Sequence, residues 1–181
     1  MRSSRLPGKV LKTLGGRPLL SYELKRLKLC KRADEIVLAT TNNRDDDALI
    51  NLAEQEGIRW FRGNEHDVLS RFVGAAAEAR ADMVVRVTGD CPLIDAEQVD
   101  RVIAELEDNE SSCDYAANIL KRTFPRGLDT EAIFRDVLQR IDRLGKSAAG
   151  REHVTYFVHC EHPELFLCRS VEDSENNSDL R

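Results

Sequence analysis

The sequence predicts an α/β layer fold with a mostly parallel sheet, and two patterns carry this prediction. Short β-branched apolar runs alternate with longer segments whose apolar residues recur at helical spacing. Strands that alternate with single helical segments are typical of crossover units in a parallel sheet. No internal repeat and no low-complexity tract divides the 181 residues. We therefore predict one domain, residues 1–181.

The first half of the chain alternates helix and strand. Residues 18–30 repeat leucine at helical spacing and predict a helix, and residues 35–40 predict a buried strand. The three aspartates at 45–47 suit the positive end of a second helix, which ends near Gly57. The short run at 58–61, Ile-Arg-Trp-Phe, predicts the next strand.

The alternation continues to about residue 113 and then loosens. A helix is predicted over 67–79, the clearest strand of the sequence over 83–88, and a further helix after Asp95, which can cap it. The later elements are predicted as a short strand, a helix ending at Gly145, a helix over 153–160 and a strand over 164–171.

Composition excludes several classes of protein. The chain has 27 basic and 32 acidic residues, a net charge of −5 and a pI near 5.5, which disfavours nucleic acid as a partner. No apolar run approaches the ~20 residues of a membrane span, and the start has no apolar signal-peptide core. Five cysteines without a CxxC pair predict free thiols in a reducing cytoplasm.

Four polar loops are the candidate functional segments. Ligands of open parallel sheets bind beyond the carboxyl ends of the strands. Three loops are predicted to lie there, at 40–47, 62–67 and 88–95, and a fourth, at 3–9, opens the chain.

The opening loop has the composition of a phosphate-binding loop. Gly8 allows close backbone approach, Arg5 and Lys9 can neutralise phosphate charge, and the hydroxyls of Ser3 and Ser4 lie nearby. It is not a Walker A loop, because the first glycine of that motif is missing. The alternative interpretation is a solvated basic turn.

Asp90 is the candidate metal ligand. It follows a glycine directly after the most apolar strand, so we expect its carboxylate to face the crevice and not the core. Mg²⁺ is usually held by one or two carboxylates together with substrate phosphates. The alternative is that Asp90 caps a turn, and for Asp95 we prefer the corresponding role as a helix cap.

Two later segments are also rich in polar groups. Residues 118–131 mix arginines with carboxylates, which suits a polyhydroxy substrate. Near the carboxyl end of the chain, one interpretation of His159, Cys160 and His162 is a cluster of zinc ligands. The spacing is not HExxH, however, and polar groups close to a helix end are the favoured interpretation.

Seven segments, in their order along the chain, resemble one known family. They are SSRLPGKVL, GRPLLSYELKRL, IVLATT, FRGNEHDVLSRF, VVRVTGDCPLID, NILKRTFPRGLDTE and REHVTYF. Together they span nearly the whole chain and resemble the cytidylyltransferase family typified by spore coat polysaccharide biosynthesis protein F. The relatives of that family are the CMP-sialic acid (acylneuraminate) and CMP-Kdo synthetases.

The resemblance implies a three-layer α/β/α nucleotide-diphospho-sugar transferase fold of Rossmann-like type, with a mostly parallel mixed sheet. It implies a cytoplasmic, Mg²⁺-dependent nucleotidyltransferase, which is a homodimer. The implied reaction transfers CMP from CTP to a sugar or sugar acid and releases pyrophosphate, for surface polysaccharide or glycan synthesis. Catalysis of that kind is mostly positioning and charge neutralisation.

The resemblance also assigns residues to roles. The implied catalytic residues are Arg5 and Lys9, which would hold the triphosphate, and Asp90, which would bind Mg²⁺. The implied nucleotide-binding residues are Ser3, Ser4, Arg5, Gly8, Lys9, Arg62 and Arg71. The implied acceptor-binding residues are Asn118, Arg126, Asp129, Glu131, Arg151 and His153.

The chain departs from the family pattern at both ends. Family members usually carry an apolar strand before the first loop and a second metal-binding aspartate beyond the position that corresponds to Arg181. We therefore expect a domain that is incomplete at both ends, and Asp179 is not assigned as a ligand. Loss of a central strand would unpair two strand edges. The alternative to an enzyme is thus an inactive nucleotide- or sugar-binding homologue, or a fragment that another chain completes.

Overall fold

The computed structural model describes Leu6 and residues 8–180. Its strands are β1 (Thr13–Leu14), β2 (Arg17–Pro18), β3 (Val37–Thr41), β4 (Arg59–Gly63), β5 (Met83–Arg86), β6 (Tyr115–Ala117), β7 (Glu131–Phe134) and β8 (Cys168–Ser170). Its α-helices are α1 (Leu19–Leu27), α2 (Asp47–Glu56), α3 (Val68–Ala79), α4 (Ala96–Glu107), α5 (Arg135–Leu144) and α6 (Ala148–Glu152). Short 3₁₀ turns lie at Lys9–Leu11, Arg44–Asp46, Glu110–Ser112 and Pro163–Leu165, and a π-helical turn at Phe157–Glu161.

The predicted elements of the first half are confirmed with small shifts of their bounds, because local patterns define them. The Asp95 side chain accepts hydrogen bonds from the amides of Glu97 and Gln98 at 3.0 and 3.1 Å, which confirms the predicted cap of α4. The Asp67 side chain caps α3 in the same way, accepting from the Ser70 amide at 2.9 Å.

The later elements differ from the prediction. The helix expected over 153–160 is replaced by α6 and the π-helical turn, and the strand expected over 164–171 shortens to β8. The break falls at Val154, whose backbone is left-handed with φ 47°. That conformation is costly for a β-branched residue, and here it places the Val154 side chain in the core, 1% exposed.

The strands form a mixed sheet in two parts. In the first part β3 and β4 are parallel. In the second part the order is β5-β7-β6-β8, with β7 antiparallel to both of its neighbours and β8 parallel to β6. β7 is reversed because the connection from β6 is a loop, residues 118–130, without a crossover helix. The predicted mixed α/β sheet is confirmed, with β7 as its antiparallel member.

A gap separates the two parts of the sheet. Within the described residues, no strand pairs with the inner edge of β3 or of β5. Two cavities of about 570 and 340 Å³ lie between these edges, lined by Val37 and Ala39 on one side and Val85 on the other. Side chains of α3, α1 and α4 complete the lining.

Helices on both faces of the sheet form the core. On one face α3 and α5 pack against β6 and β7 through Leu69, Leu138 and Ile141, which are fully buried. On the other face α4 packs through Val102 and Leu106. Burial of aliphatic side chains of this size stabilises the fold by roughly 1.5–3 kcal/mol each. In the part of the chain described, no helix combines the length and apolar character needed to cross a membrane.

Candidate functional site

In each part of the sheet, polar loops begin or end at the same end of the sheet, where β3, β4, β5 and β6 finish and β7 starts. Thr41 at the end of β3 is in register with Gly63 at the end of β4. Glu131 at the start of β7 is in register with Arg86 and Ala117, at the ends of β5 and β6. Because β7 is reversed, its first residue lies beside the carboxyl ends of its neighbours. The predicted loops after β3, β4 and β5 and the loop before β7 therefore surround the candidate site.

Lys9 and Asp90 form an ion pair at the carboxyl end of β5. The Lys9 ammonium donates a hydrogen bond to Asp90 Oδ2, although the two residues are 81 positions apart. Each side chain is 35% exposed, so the pair is open to solvent. Gly8 precedes Lys9 with φ 65°, a left-handed conformation that glycine adopts without strain. The structure thus brings together three residues that were predicted to hold phosphate and metal.

The surroundings of Asp90 keep its carboxylate ionised. Burial by itself would raise the pKa of Asp90, but hydrogen bonds from Lys9 and Thr88 and the Lys9 charge hold it below its usual value. An ionised aspartate is a hard oxygen donor of the kind that Mg²⁺ prefers. Cys91, the next residue, has a thiol pKa that burial raises, so the thiol is protonated at neutral pH.

Glu23 lies behind this pair and was not predicted. Its side chain is 1% exposed, and Oε2 accepts a hydrogen bond from the Cys91 amide at 2.9 Å. Burial raises the pKa of Glu23 to about 7, the Cys91 amide lowers it, and the charge of Asp90 raises it. The sequence held a signal, because Glu23 occupies an apolar position of the α1 stripe between Leu20 and Leu27. Glu23 fixes the backbone that carries Asp90.

Arg62, which was predicted to bind the nucleotide, holds the loop that follows β3. Its Nε and Nη2 donate to the carbonyls of Thr41 and Asn43 at 2.8 and 2.5 Å, and Nη1 pairs with Asp47 at 2.7 Å. These bonds connect the end of β4 to the start of α2. They do not bring Arg62 into contact with the Lys9–Asp90 pair.

Arg71, the second predicted arginine, lies over the end of β4. Its Nη1 donates to the Asn64 carbonyl at 3.1 Å. Its Nε is buried, with no hydrogen-bond partner in the described part of the chain. Burial lowers the pKa of Arg71, and the charges of Asp46 and Asp67 raise it. A side chain on Gly63 would collide with Arg71, since a Cβ there would lie 2.6 Å from its Cγ.

The loop between β6 and β7 carries three of the predicted acceptor residues. Asn118 is 1% exposed and closes the loop, donating to the Leu128 carbonyl at 2.7 Å and accepting from the Thr130 amide at 2.9 Å. Asp129 binds Arg122 through two hydrogen bonds of 2.6 and 2.9 Å. The Arg126 side chain is exposed.

This loop faces the loop of Asp90. Glu131, which follows this loop, is in register with Arg86 at the end of β5, the strand that leads into the loop of Asp90. The predicted acceptor side of the site thus lies next to the predicted metal side.

Glu131, also predicted to contact the acceptor, lies inside the protein. It is 3% exposed and accepts hydrogen bonds from Arg86, from Thr155 and from the Tyr115 hydroxyl, the last at 2.7 Å. Burial and the Glu131 charge raise the pKa of Tyr115, which keeps the phenol protonated as a donor. We refer to Arg86, Tyr115, Glu131 and Thr155 as the Glu131 cluster.

Arg151 connects three helices. Its Nε and Nη2 donate to the Asp67 carboxylate at 2.9 and 2.6 Å, and Nη1 donates to Asp142 at 2.7 Å. These bonds attach α6 to the start of α3 and to α5. His153 follows α6 with an exposed side chain, and its ring centroid lies 6.1 Å from that of Tyr156.

The predicted residues therefore fall into separate groups. Gly8, Lys9 and Asp90 meet at one point, Asp129 lies in the neighbouring loop before β7, and Arg62 and Arg71 lie around the ends of β3 and β4. Ser3, Ser4 and Arg5 lie outside the described residues. Within the described ranges, no group of three His, Cys, Asp or Glu side chains could hold a metal ion, which leaves the histidine segment without a zinc site there.

Comparison with known proteins places this arrangement in a family. A family model described as "Cytidylyltransferase" matches residues 1–173. The uncharacterized protein MJ1063 of Methanocaldococcus jannaschii is 38% identical over 173 residues, which are 96% of this chain and 69% of that protein. The spore coat polysaccharide biosynthesis protein SpsF of Bacillus subtilis is 34% identical over 180 residues, or 97% of this chain and 72% of that protein.

Solved structures give the same result. A cytidylyltransferase from Leptospira borgpetersenii superposes with a TM-score of 0.94 at 33% identity, over 99% of this chain and 75% of that chain. A CMP:2-keto-3-deoxy-manno-octonic acid synthetase in complex with CTP superposes with a TM-score of 0.72 at 19% identity, over 95% of this chain and 86% of that chain, and so shares its fold. The predicted fold class is confirmed, and the chain belongs to the cytidylyltransferase family of nucleotidyltransferases.

Proposed function

We propose that this chain transfers CMP from CTP to a sugar or sugar acid and releases pyrophosphate, for the synthesis of a surface polysaccharide or glycan. The observation that carries the proposal is the Lys9–Asp90 pair, a cation and an ionised carboxylate that are half-open to solvent beside the acceptor loop. The acceptor class is supported by the names of two similar proteins, one of spore coat polysaccharide biosynthesis and one a sugar-acid synthetase.

The residues present fit a Mg²⁺ ion. Asp90 supplies one ionised oxygen ligand, and Mg²⁺ commonly needs only one or two protein carboxylates when substrate phosphates provide other ligands. Lys9, which pairs with Asp90 in this structure, carries a positive charge that would also attract a triphosphate. We propose that Asp90 holds the ion, which when bound neutralises phosphate charge and polarises the α-phosphate.

The reaction balances without a covalent enzyme intermediate. A hydroxyl of the acceptor attacks the α-phosphorus of CTP and its proton passes to solvent, the bond from the α-phosphorus to the bridging β-phosphate oxygen breaks, and pyrophosphate leaves with the negative charge. Lys9 lies where it can neutralise that charge, and Gly8 lets the backbone approach the phosphates. Glu23 keeps the Asp90 backbone in place through the Cys91 amide. Positioning and charge neutralisation thus account for catalysis.

The other predicted residues differ in what they can do at the site. Arg126 and His153 are exposed, and we propose that they contact the acceptor directly. Asn118 and Asp129 define the acceptor loop through their hydrogen bonds. We propose that Glu131, Arg151, Arg62 and Arg71 hold the strands, helices and loops that surround the substrates, and that Ser3, Ser4 and Arg5 bind phosphate.

Two further properties belong to the proposal. We propose a cytoplasmic location, because five cysteines without a CxxC pair suit a reducing compartment. We propose a homodimer on the family resemblance alone. Sedimentation of the purified chain at several concentrations tests the dimer, which a single species of 20.5 kDa would contradict.

Release of pyrophosphate tests the proposed reaction. The purified chain is incubated with Mg²⁺, a panel of sugars and sugar acids, and CTP, ATP, GTP or UTP in turn. We expect release with CTP and at least one acceptor. A chain that is folded, that binds CTP and that releases no pyrophosphate with any acceptor would favour the alternative of an inactive homologue.

A further inference from the structure

After β8 ends, the chain passes along the acceptor loop, residues 118–130. We refer to the part that does so as the 171–177 segment. The amide of Asp173 donates a hydrogen bond to Thr123 Oγ1 at 2.7 Å, and the amide of Asn177 donates to the Thr123 carbonyl, also at 2.7 Å. Thr123 is 7% exposed. One residue in the middle of the loop is therefore bound through its side chain and its main chain by a single neighbouring segment.

Other contacts attach the same part of the loop to β8 and α4. The Lys121 amide donates to Ser170 Oγ at 3.1 Å. Phe124 is 3% exposed, and the guanidinium of Arg101 in α4 lies 5.5 Å from the centroid of its ring. The same arginine donates from Nη2 to the Glu172 carbonyl at 2.7 Å. The residues on either side of Thr123 are thus held by the edge of the sheet and by a helix.

The charged groups of the loop lie on the same short stretch. Arg122, directly before Thr123, binds the Asp129 carboxylate through two hydrogen bonds of 2.6 and 2.9 Å. The side chains of this pair are 23% and 36% exposed, and the Arg126 side chain is exposed. Because these groups share their backbone with the anchored residues, the anchors determine where the charged groups lie.

We propose that Thr123 is a positioning residue for the acceptor. Its hydroxyl, held by the 171–177 segment, fixes the middle of the acceptor loop, and with it the place at which Arg126 and the Arg122–Asp129 pair meet the acceptor. Thr123 is buried and acts only through the loop. The inference rests on the proposed function, because it takes this loop as the acceptor side of the site.

Loss of the Thr123 hydroxyl should change the population of loop conformations and not the chemistry. Asn118 closes the two ends of the loop but leaves its middle free to adopt many conformations. Without Thr123 Oγ1, the Asp173 amide loses its acceptor, and fewer molecules hold the loop in the arrangement that binds the acceptor. The apparent affinity falls with the fraction of competent molecules, whereas saturating acceptor restores that arrangement. We therefore expect a higher KM for the acceptor with little change in kcat.

The kinetic test compares Thr123→Val, which keeps the shape of the side chain without its hydroxyl, with Thr123→Ser, which retains the hydroxyl. Pyrophosphate release is measured with the sugar or sugar acid that the native chain uses best, and acceptor and CTP are varied in turn. We expect Thr123→Val to raise the KM for the acceptor about tenfold and to change kcat and the KM for CTP by less than about twofold. Thr123→Ser should restore most of the loss. Thr13→Val, at an exposed position of β1, is the control and should change none of these values.

Hydrogen–deuterium exchange of the full chain without substrates tests the location. Exchange in Thr123→Val should become faster at 119–129 and at 172–177 and should stay as in the native chain at 83–94, which includes Asp90. This readout needs no turnover, so the two proposals can fail separately. A native chain that releases no pyrophosphate with any acceptor contradicts the proposed function, and exchange then decides whether Thr123 fixes the loop.

A second variant removes the same hydrogen bond from its donor side. Asp173→Pro has no amide N–H to donate to Thr123, so it should reproduce the kinetic and exchange changes even if Thr123→Val does not fold. Four results would overturn the proposal. They are unchanged exchange of the loop in both variants, equal rises in the KM for CTP and for the acceptor, a fall in kcat without a rise in the acceptor KM, and a Thr123→Ser variant that behaves like Thr123→Val.

Discussion

The Lys9–Asp90 pair and the Glu131 cluster use the same chemistry in different surroundings. Each joins a carboxylate to a cationic side chain near the carboxyl end of β5. Asp90 and Lys9 are each 35% exposed, whereas Glu131 is 3% exposed and has three hydrogen-bond donors. The open pair can exchange its partner for a ligand, while the closed cluster cannot do so without leaving buried groups unpaired. We therefore propose that exposure, and not residue type, distinguishes the ligand-binding pair from the cluster that stabilises the fold.

Removal of the buried carboxylate should have the largest effect. Glu131→Ala leaves Arg86 without its charge partner, and the hydroxyls of Tyr115 and Thr155 without an acceptor. We expect the free energy of unfolding in urea to fall by about 3–5 kcal/mol. Glu175→Ala, at an exposed position, is the control and should change it by less than about 0.5 kcal/mol. A loss of activity in Glu131→Ala without loss of stability would contradict a purely stabilising role for Glu131.

Removal of the Lys9 cation should lower the turnover rate. We expect Lys9→Met to lower the rate of pyrophosphate release by about 10²–10³-fold, because a positive charge beside the leaving phosphates is lost. The unfolding free energy should change by no more than about 1 kcal/mol, as for other solvent-exposed ion pairs. Lys12→Met, at a nearby exposed position, controls for general charge loss. Equal rates for Lys9→Met and Lys12→Met would remove Lys9 from the site.

The contributions of Glu23 and Asp90 to the free energy of unfolding should depend on pH with opposite signs. The pKa of Glu23 is raised from 4.5 to about 7, so its contribution to stability is greatest at low pH and declines as pH rises from 4.5 to 7, by up to about 3 kcal/mol. Asp90, with its lowered pKa, contributes above its unfolded value of 3.8 and loses that contribution as pH falls.

Urea unfolding of the native chain and of Glu23→Gln, at intervals from pH 4.5 to 8, isolates this effect. The difference in unfolding free energy between the two proteins should change steadily up to pH 7 and then level off. A difference that stays constant over the whole range would show that Glu23 titrates normally.

The smallest expected effect concerns the glycine before the pair. Gly8→Ala places a Cβ on a left-handed residue with φ 65°, at a cost of about 1–2 kcal/mol, although open space surrounds that position. We expect CTP to bind a few-fold more weakly, because Lys9 is held less well. Gly57→Ala has the same φ of about 66° at the end of α2 and should cost similar stability without affecting CTP binding. Equal weakening of CTP binding by both substitutions would count against a role for Gly8.

Local patterns predicted much of the fold, and long-range contacts account for what they missed. The bounds of α3 and the cap at Asp95 follow from neighbouring residues, so the sequence was sufficient for them. The position of β7 between β5 and β6 depends on pairing with β6 across a loop and with β5, whose residues lie 45 or more positions earlier, and periodicity does not reveal such partners.

In the candidate site, too, local patterns predicted some residues and long-range contacts account for the others. Asp90 could be proposed from the sequence because a strand, a glycine and an acid are adjacent there. The resemblance implies that Arg151 contacts the acceptor, and its hydrogen bonds to Asp67, 84 positions away, could not be predicted from the sequence. Glu23 was overlooked although its acid stands in an apolar stripe, because its partner, the Cys91 amide, lies 68 positions away.

Calorimetric titration of nucleotides into the chain is the most direct test of Asp90 as part of a CTP and Mg²⁺ site. CTP, ATP, GTP and UTP are titrated with and without Mg²⁺ into the native chain and into Asp90→Asn, with Asp179→Asn as the exposed control. We expect CTP to bind most tightly, Mg²⁺ to strengthen its binding, and Asp90→Asn alone to abolish this gain. Binding of CTP that is indifferent to Mg²⁺ and to Asp90→Asn, or no binding by a well-folded chain, would contradict the assignment of the site.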